Sequence, residues 1–342
     1  MRFRITTIIL FLLFLTCKNN DSIILLEAPI LNNAFDDKAY VLNDSFPKGD
    51  VRRYGIYPDN YYADKDLLSL MELADHGIPL KFVKGTYYLN LLLQGLSDVK
   101  LVFDDAIIAG TFQIIDKDNE KSQRLVFEGK LTVLDKVFMR NSNDIKFDTL
   151  LIKSNKAKSL YKKKNRGMSI YLGTKNIEIR TLEIEQTGGT EDDFFKYSAA
   201  AFQVHGWNNN PEGITIDNLL IKNTDRTALY LTGKNHSIKR IKIENFGLGT
   251  NKNMFGLEDA ELGSERDFVG AWFNKCNDCT IDTLQIYAND RSRTYSARFD
   301  LGFYPEPCII ENIEFNSLAK DMPIYDNVLT NVLVKNELEH GN

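Results

Sequence analysis

Cysteine is scarce in this chain of 342 residues, which has four. Cys17 lies near the start, and Cys276, Cys279 and Cys308 lie near the end, so no disulfide framework can be drawn. Cys276-Asn-Asp-Cys279 has no second thiol pair to complete a zinc set. Positive charge is not in excess: 42 Lys and Arg stand against 47 Asp and Glu, which argues against a globally basic nucleic-acid binder. No apolar run is long enough to span a bilayer. There is no phosphate-binding glycine loop and no nucleophile elbow. Histidine is limited to His76, His205, His236 and His340.

What the chain has in quantity is a repeat. Apolar residues recur at offsets 0, 2, 5 and 7 in seven sets. The first three are Ile145-Phe147-Leu150-Ile152, Ile177-Ile179-Leu182-Ile184 and Ile214-Ile216-Leu219-Ile221. His236-Ile238-Ile241-Ile243, Cys279-Ile281-Leu284-Ile286 and Cys308-Ile310-Ile313-Phe315 follow, and Asn327-Leu329-Val332-Val334 closes the series. Each set reads as two short period-2 strands whose register shifts at a turn. Set starts are 19 to 43 residues apart, so the unit is constant and the loops are not. That is the pattern of an all-β solenoid, in which each coil buries its face on its neighbours. Val99–Ile108 and Leu125–Leu134 read as earlier coils. Asn223, Asn245 and Asn336 each follow a set's last apolar position by two residues, as an asparagine ladder in a tight turn would.

The first 16 residues read as a signal peptide, with Arg2 and Arg4 before the apolar run Ile8 to Leu15. Removing them leaves 40 basic against 47 acidic side chains, a net charge of −7. Thr16-Cys17 after that run resembles a bacterial lipoprotein signal, which implies lipidation at Cys17 and a membrane anchor. Lys18-Asn19-Asn20-Asp21 resembles the export tag of surface lipoproteins of the Bacteroidetes group, which implies an outer-membrane protein facing the periplasm or the cell surface. Residues 17–47 show no period and read as a tether. A single domain is expected over 48–342, as a monomer. Asp64 or Asp66 is placed to cap a short helix from Leu67 to Ala74, ended at Gly77. Pro79 to Leu89 reads as strand, turn and strand.

Tyr54-Gly55, the helix and Gly85-Thr86-Tyr87 resemble the opening of pectate-lyase-like proteins of the pectin-lyase-like superfamily, and the resemblance extends over roughly residues 50–336. It implies a right-handed parallel β-helix with a short N-terminal capping helix, and a substrate groove floored by the first strand of each coil. The floor candidates are Met168–Leu172, Ala201–His205, Ala228–Thr232, Val269–Asn274 and Ala297–Leu301. Strand alternation turns Ile170, Phe202, Val204, Leu229, Leu231, Ala271, Phe273 and Phe299 inward. The outward set is then Tyr171, Gln203, His205, Tyr230, Thr232, Trp272, Asn274, Arg298 and Asp300, a column suited to sugar. A cation precedes each floor strand: Arg166, Lys196, Arg226, Arg266, and Arg291 with Arg293. Stacked turns would gather these into a basic wall for an anionic polysaccharide or oligosaccharide.

Uronic acids lend themselves to β-elimination, which needs a neutralised carboxylate, a base for the C5 proton and an acid for the departing oxygen. His205 or Tyr230 is the expected proton-transfer residue, with Lys196 in reserve. Arg226, Arg266 and Arg298 are expected around the carboxylate. Tyr171, Gln203, Trp272, Asp300 and Arg293 complete the expected binding set. The product would define a polysaccharide lyase or an oligosaccharide dehydratase, on an ulvan- or alginate-like glycan among others. The resemblance also admits calcium, for which Glu191-Asp192-Asp193 supply oxygen ligands. Asn223-Thr224-Asp225 resembles the polygalacturonase signature, but Arg226 and Thr227 replace its glycine context. A β-helix hydrolase using Asp225, Asp267 and Asp300 is the rival enzyme. A non-catalytic glycan binder using Trp272, Tyr230 and Tyr171 is the third reading. The insertion Leu248–Asp267 is placed to cover the groove.

Overall fold

The computed structural model describes residues 26–188, 200–249, 268–292, 295–300, 302, 306–322 and 324–338. Among them are twenty strands. In chain order these are β1 (Leu80–Phe82), β2 (Gly85–Tyr87), β3 (Leu91–Gln94), β4 (Ser97–Ile108), β5 (Phe112–Ile115), β6 (Ser122–Val133), β7 (Lys136–Arg140), β8 (Ser142–Lys153), β9 (Gly167–Tyr171), β10 (Lys175–Glu185), β11 (Ala200–His205), β12 (Glu212–Lys222), β13 (Thr227–Lys234), β14 (Ser237–Glu244), β15 (Val269–Asn277), β16 (Cys279–Tyr287), β17 (Tyr295–Phe299), β18 (Cys308–Phe315), β19 (Tyr325–Asp326) and β20 (Val332–Leu338). From β3 onward each strand pairs in parallel with the strand two places further on. The chain therefore feeds two parallel stacks alternately, odd-numbered strands in one and even-numbered strands in the other. The protein is all-β, and this long run of parallel strands is compatible with a β-helix.

The even stack is the apolar repeat. Ile177 faces Ile145 on one side and Ile214 on the other, and Ile216, Ile238, Ile281 and Ile310 continue a second ladder. All are buried. Burying each isoleucine contributes roughly 1.5–3 kcal/mol, and a one-residue slip would turn a whole ladder to water, so register is strongly fixed. The corner between the two halves of each even strand shortens along the stack. Val99 and Ala106 pair with Leu125 and Leu131, which in turn pair with Ile145 and Leu150. The corner thus loses one residue at each of those two steps, after which it is constant.

The seventh set does not hold in the expected register. Val332, not Asn327, pairs with Cys308, and Asn336 pairs with Asn312 rather than lying in a turn ladder. Asn327 instead opens a turn, its side chain accepting from the Leu329 N–H at 3.0 Å. β20 ends the even stack among the described residues, and Leu333 and Val334 are exposed there. The ladder is real at Asn223 and Asn245, where Asn245 Nδ2 donates to Asn223 Oδ1 at 2.8 Å. Both residues, like Gln186 one rung earlier, adopt left-handed backbone angles that asparagine tolerates.

Before the strands, a 3-10 turn (Asp64–Leu67) leads into α1 (Leu68–Asp75). The Asp66 carboxylate accepts from the Ala63 N–H at 2.9 Å, and Leu70, Leu73 and Ala74 face the core. The tether expected over 17–47 is corrected for its described part. Ile30 N–H donates to Asp98, Phe35 stacks on His76, and the buried Asp37 carboxylate accepts from Arg53 Nε and the Tyr54 hydroxyl, both at 2.8 Å. A buried carboxylate needs such partners, and its neighbours tie this segment to the folded unit. Cys17 lies outside the described residues.

Candidate functional site

The odd stack has an inner and an outer face, and alternation assigns them as the sequence implied. Met168, Phe202, Leu229, Ala271 and Ala297 form one inner ladder, and Ile170, Val204, Leu231, Phe273 and Phe299 form the other. On the outer face, Gln203, Tyr230, Trp272, Arg298 and Tyr325 stand in register on five successive rungs. His205 pairs with Tyr171 beside this column. The His205 ring lies 5.8 Å from that of Tyr171 and 5.7 Å from that of Tyr230, centroid to centroid. Tyr230 in turn meets Trp272 edge-on at 4.9 Å.

The surroundings push the two proton-transfer candidates apart. Burial, and then the charge of Lys275, lower the pKa of His205 below the usual imidazole range, so it is neutral at neutral pH. Burial raises Tyr230 above the usual phenol range, opposed in part by Asn274. Asn274 Nδ2 donates to the Tyr230 hydroxyl oxygen at 3.0 Å, so the phenol proton remains available to donate. A neutral imidazole and a protonated phenol on adjacent rungs can serve as base and acid.

Other expected residues fare differently. Arg298 lies between the Trp272 and Tyr325 rings, 4.5 and 4.9 Å from their centroids, and its Nε donates to both Asp300 oxygens at 3.1 Å. Trp272 Nε1 also donates to Asp300, at 2.8 Å. Three rungs separate Arg298 from His205, about 14 Å at the usual strand spacing. Arg298 is thus set apart from His205, while its charge reaches Tyr230. Arg226 is corrected as a member of an exposed basic wall: it is buried, 4 % exposed, and burial brings its pKa down to about 10. Thr232 is buried rather than outward, its hydroxyl 3.0 Å from both Val204 O and Asn210 Oδ1. Arg166 donates through Nε to the buried Asp135 at 3.1 Å, so its charge is matched locally. Lys196, Arg266, Arg293, Asp267, the Glu191-Asp192-Asp193 cluster and residues 250–267 of the insertion lie outside the described residues.

Lys275 and Trp207 escaped the sequence reading, as did Tyr325 at the end of the column. Lys275 sits in a bulge in β15, where Asn274 and Lys275 stand opposite Thr232 alone. Its left-handed backbone angle marks that bulge, and bulges re-aim side chains beside sites. Trp207 follows His205 in the turn after β11. It is 69 % exposed, its ring lies 5.2 Å from that of His205, and its Nε1 donates to the Tyr171 hydroxyl at 2.9 Å. The signal for it was available: it is one of two tryptophans in the chain and sits two residues after the candidate base.

The three late cysteines are buried and unpaired. Cys279 and Cys308 stack in register as expected from their shared offset, and Cys276 Sγ donates to Leu231 O at 3.1 Å. His236 fills its core offset, accepting from the Ile214 N–H through Nδ1 at 3.2 Å while Nε2 lies 3.0 Å from Thr232 O.

The chain matches no protein-family model, and neither the curated proteins nor the solved structures gave a match.

Proposed function

We propose that the two stacks wind as a right-handed parallel β-helix of the pectin-lyase-like kind, and that the outer column catalyses β-elimination on a uronic-acid-containing glycan. His205 takes the C5 proton, and the C5–H electron pair becomes the C4–C5 double bond as the C4–O bond breaks. Tyr230 protonates the departing oxygen. Lys275, whose charge reaches His205, neutralises the C5 carboxylate. Trp207 and Tyr171 hold a sugar against His205, while Gln203, Trp272, Arg298 and Asp300 contact neighbouring sugars along the stack. A glycosidic departing oxygen makes the protein a lyase, and a hydroxyl makes it a dehydratase. In this reading the protein is lipid-anchored through Cys17 at the outer membrane.

One observation carries the proposal: a half-buried His205 and Tyr230 are neighbours whose environments favour the unprotonated base and the protonated acid respectively. The hydrolase alternative asks for two carboxylates across one bond. Asp225 is instead held by Lys164 at 2.8 Å, and Asp300 by Arg298 and Trp272. A binding-only role draws support from the exposure of Trp207. The deciding measurement is ultraviolet absorbance of the protein with a panel of uronate polymers and oligosaccharides, with and without calcium. A rise reports the conjugated double bond of the product. No rise on any of them rejects elimination, and retained affinity would then leave the binding role.

A further inference from the structure

The outer column of the odd stack does not begin at Gln203. Ser169 stands in register with Gln203 one rung earlier, and Phe138 with Ser169 one rung before that. The Phe138 ring lies 6.3 Å from that of Tyr171, centroid to centroid, so the aromatic surface beside His205 extends back to β7. β7 alternates as the later odd strands do: Val137 and Met139 are buried, and Lys136, Phe138 and Arg140 stand on the outer face.

Lys136 is half-buried, and its Nζ lies 4.5 Å from the centroid of the Phe138 ring. Among the described residues that ring is its one close partner: no carboxylate and no carbonyl oxygen lies within bonding distance of the amine. Gly167, opposite Lys136 on the next rung, has no side chain to supply an acceptor. The charged groups around Lys136 are committed to others. Asp135, the preceding residue, is buried and accepts from Arg166 Nε at 3.1 Å, and the Arg166 guanidinium lies over the Tyr161 ring, 5.7 Å from its centroid. Arg140, on the same face of β7, is held by Asp116 at 2.8 Å. Burial, and then the charge of Arg166, bring the Lys136 pKa down to about 8, with Asp135 opposing. A half-buried ammonium that faces only an aromatic ring lacks acceptors for its N–H groups, and an incoming oxyanion supplies them.

We infer that Lys136 and the Phe138 ring form an oxyanion subsite at the β7 end of the column, which takes a carboxylate or sulfate-ester group of an acidic saccharide lying over these rungs. β7 is two rungs from β11, about 10 Å at the usual strand spacing. Gly167, opposite Lys136, precedes Tyr171, opposite His205, by four residues. The group held at Lys136 is therefore a different one from that served by His205, and the subsite selects saccharides that carry a second anion. The ring offers a surface to the apolar face of the sugar while the amine holds the charge. The oxyanion preference follows from the ammonium that faces no acceptor among the described residues. Only the choice of a saccharide as the carrier rests on the proposed function.

The test uses the His205→Ala protein, which keeps turnover from confusing the titrations, with hexagalacturonate, sulfated maltohexaose and maltohexaose as probes. Lys136 is labelled with an amine-reactive reagent at a pH of about 8, where part of it is neutral, and the labelled peptides are quantified by mass spectrometry. At least one charged probe is expected to slow labelling of Lys136 but not of Lys239, which is held by Asp217, and maltohexaose to slow neither. In calorimetric titrations Lys136→Met is expected to weaken the protecting probe by about tenfold or more, as the loss of a bond between ionised groups does, and Lys136→Arg to restore most of the affinity. Methionine keeps an unbranched side chain against the Phe138 ring, so the variant is expected to melt with its parent. Whichever charged probe protects better identifies carboxylate or sulfate as the group recognised. Labelling of Lys136 unchanged by both charged probes, equal protection by maltohexaose, or charged-probe affinity unchanged in Lys136→Met overturns the inference. Failure of the ultraviolet assay with the wild-type protein, with Lys136 protected, would reject elimination and leave the subsite standing. A rise in absorbance with Lys136 unprotected would do the reverse.

Discussion

The two stacks treat their outer surfaces differently. Along the even stack, charged side chains on neighbouring rungs match each other: Lys146 with Glu178 at 2.6 Å, Lys175 with Glu212 at 3.0 Å, Lys239 with Asp217 at 2.7 Å and Lys335 with Glu311 at 2.7 Å. Along the odd stack the same outward positions carry Gln203, Tyr230 and Trp272, with His205 and Tyr171 alongside. Both surfaces rest on equally buried inner ladders. A parallel stack needs only its inner face to be apolar. The outer face is free to vary, and here one surface is satisfied within itself while the other presents rings and polar tips that a sugar can use.

Substitutions can break this contrast in order of size. His205→Ala or Tyr230→Phe is expected to lower the rate of unsaturated-product formation about 100- to 10,000-fold, the usual range for losing a proton-transfer group. Unchanged turnover in both would remove the column from catalysis. Ile216→Ala, in the inner ladder of the even stack, should cost about 2–5 kcal/mol in denaturant unfolding. Trp207→Ala should raise KM by about two- to tenfold, in line with an aromatic contact worth about 0.5–1.5 kcal/mol, with little change in folding. Lys239→Ala, on the matched surface, should change stability by no more than about 1 kcal/mol and leave turnover alone.

The pH profile sharpens the same contrast. As the proposed base His205 would have to be unprotonated, and its pKa is lowered by burial and by Lys275. The acidic limb of kcat/KM for elimination is therefore expected below the ordinary imidazole range, with activity falling as pH drops through it. As the proposed acid Tyr230 would have to be protonated, and its raised pKa is expected to put the alkaline limb above the ordinary phenol range. Lys275→Met removes one of the two influences that lower His205, so its acidic limb should move up in pH. A limb that stays in place would dissociate Lys275 from the base.

The architecture was readable because period and register are repeated on many rungs. Six of the seven sets, from Ile145 to Phe315, fall in their expected ladders. Asn327-Leu329-Val332-Val334 misled because β20 closes the even stack among the described residues, and its outer-side residues need not be apolar there. The column of Gln203, Tyr230, Trp272 and Arg298 was readable from alternation alone. Arg226 was not, because whether a turn residue is buried depends on what packs over it, and alternation says nothing of that. Lys275 was hidden by a bulge that adds one residue to β15. Trp207 belongs to a turn, where a period-2 pattern carries no information.

The changing corner of the even strands has a bearing on how such a chain can lengthen. From β8 to β18 each corner has the same number of residues, so a duplicated rung would find a matching neighbour on either side. At β4 and β6 each rung already differs from the next by one corner residue, so a strand moved there from elsewhere in the stack would not match both neighbours. Growth by duplication is therefore simplest over β8 to β18, and a copied even strand there would bring with it a further rung of the odd stack, whose outer face carries the aromatic column.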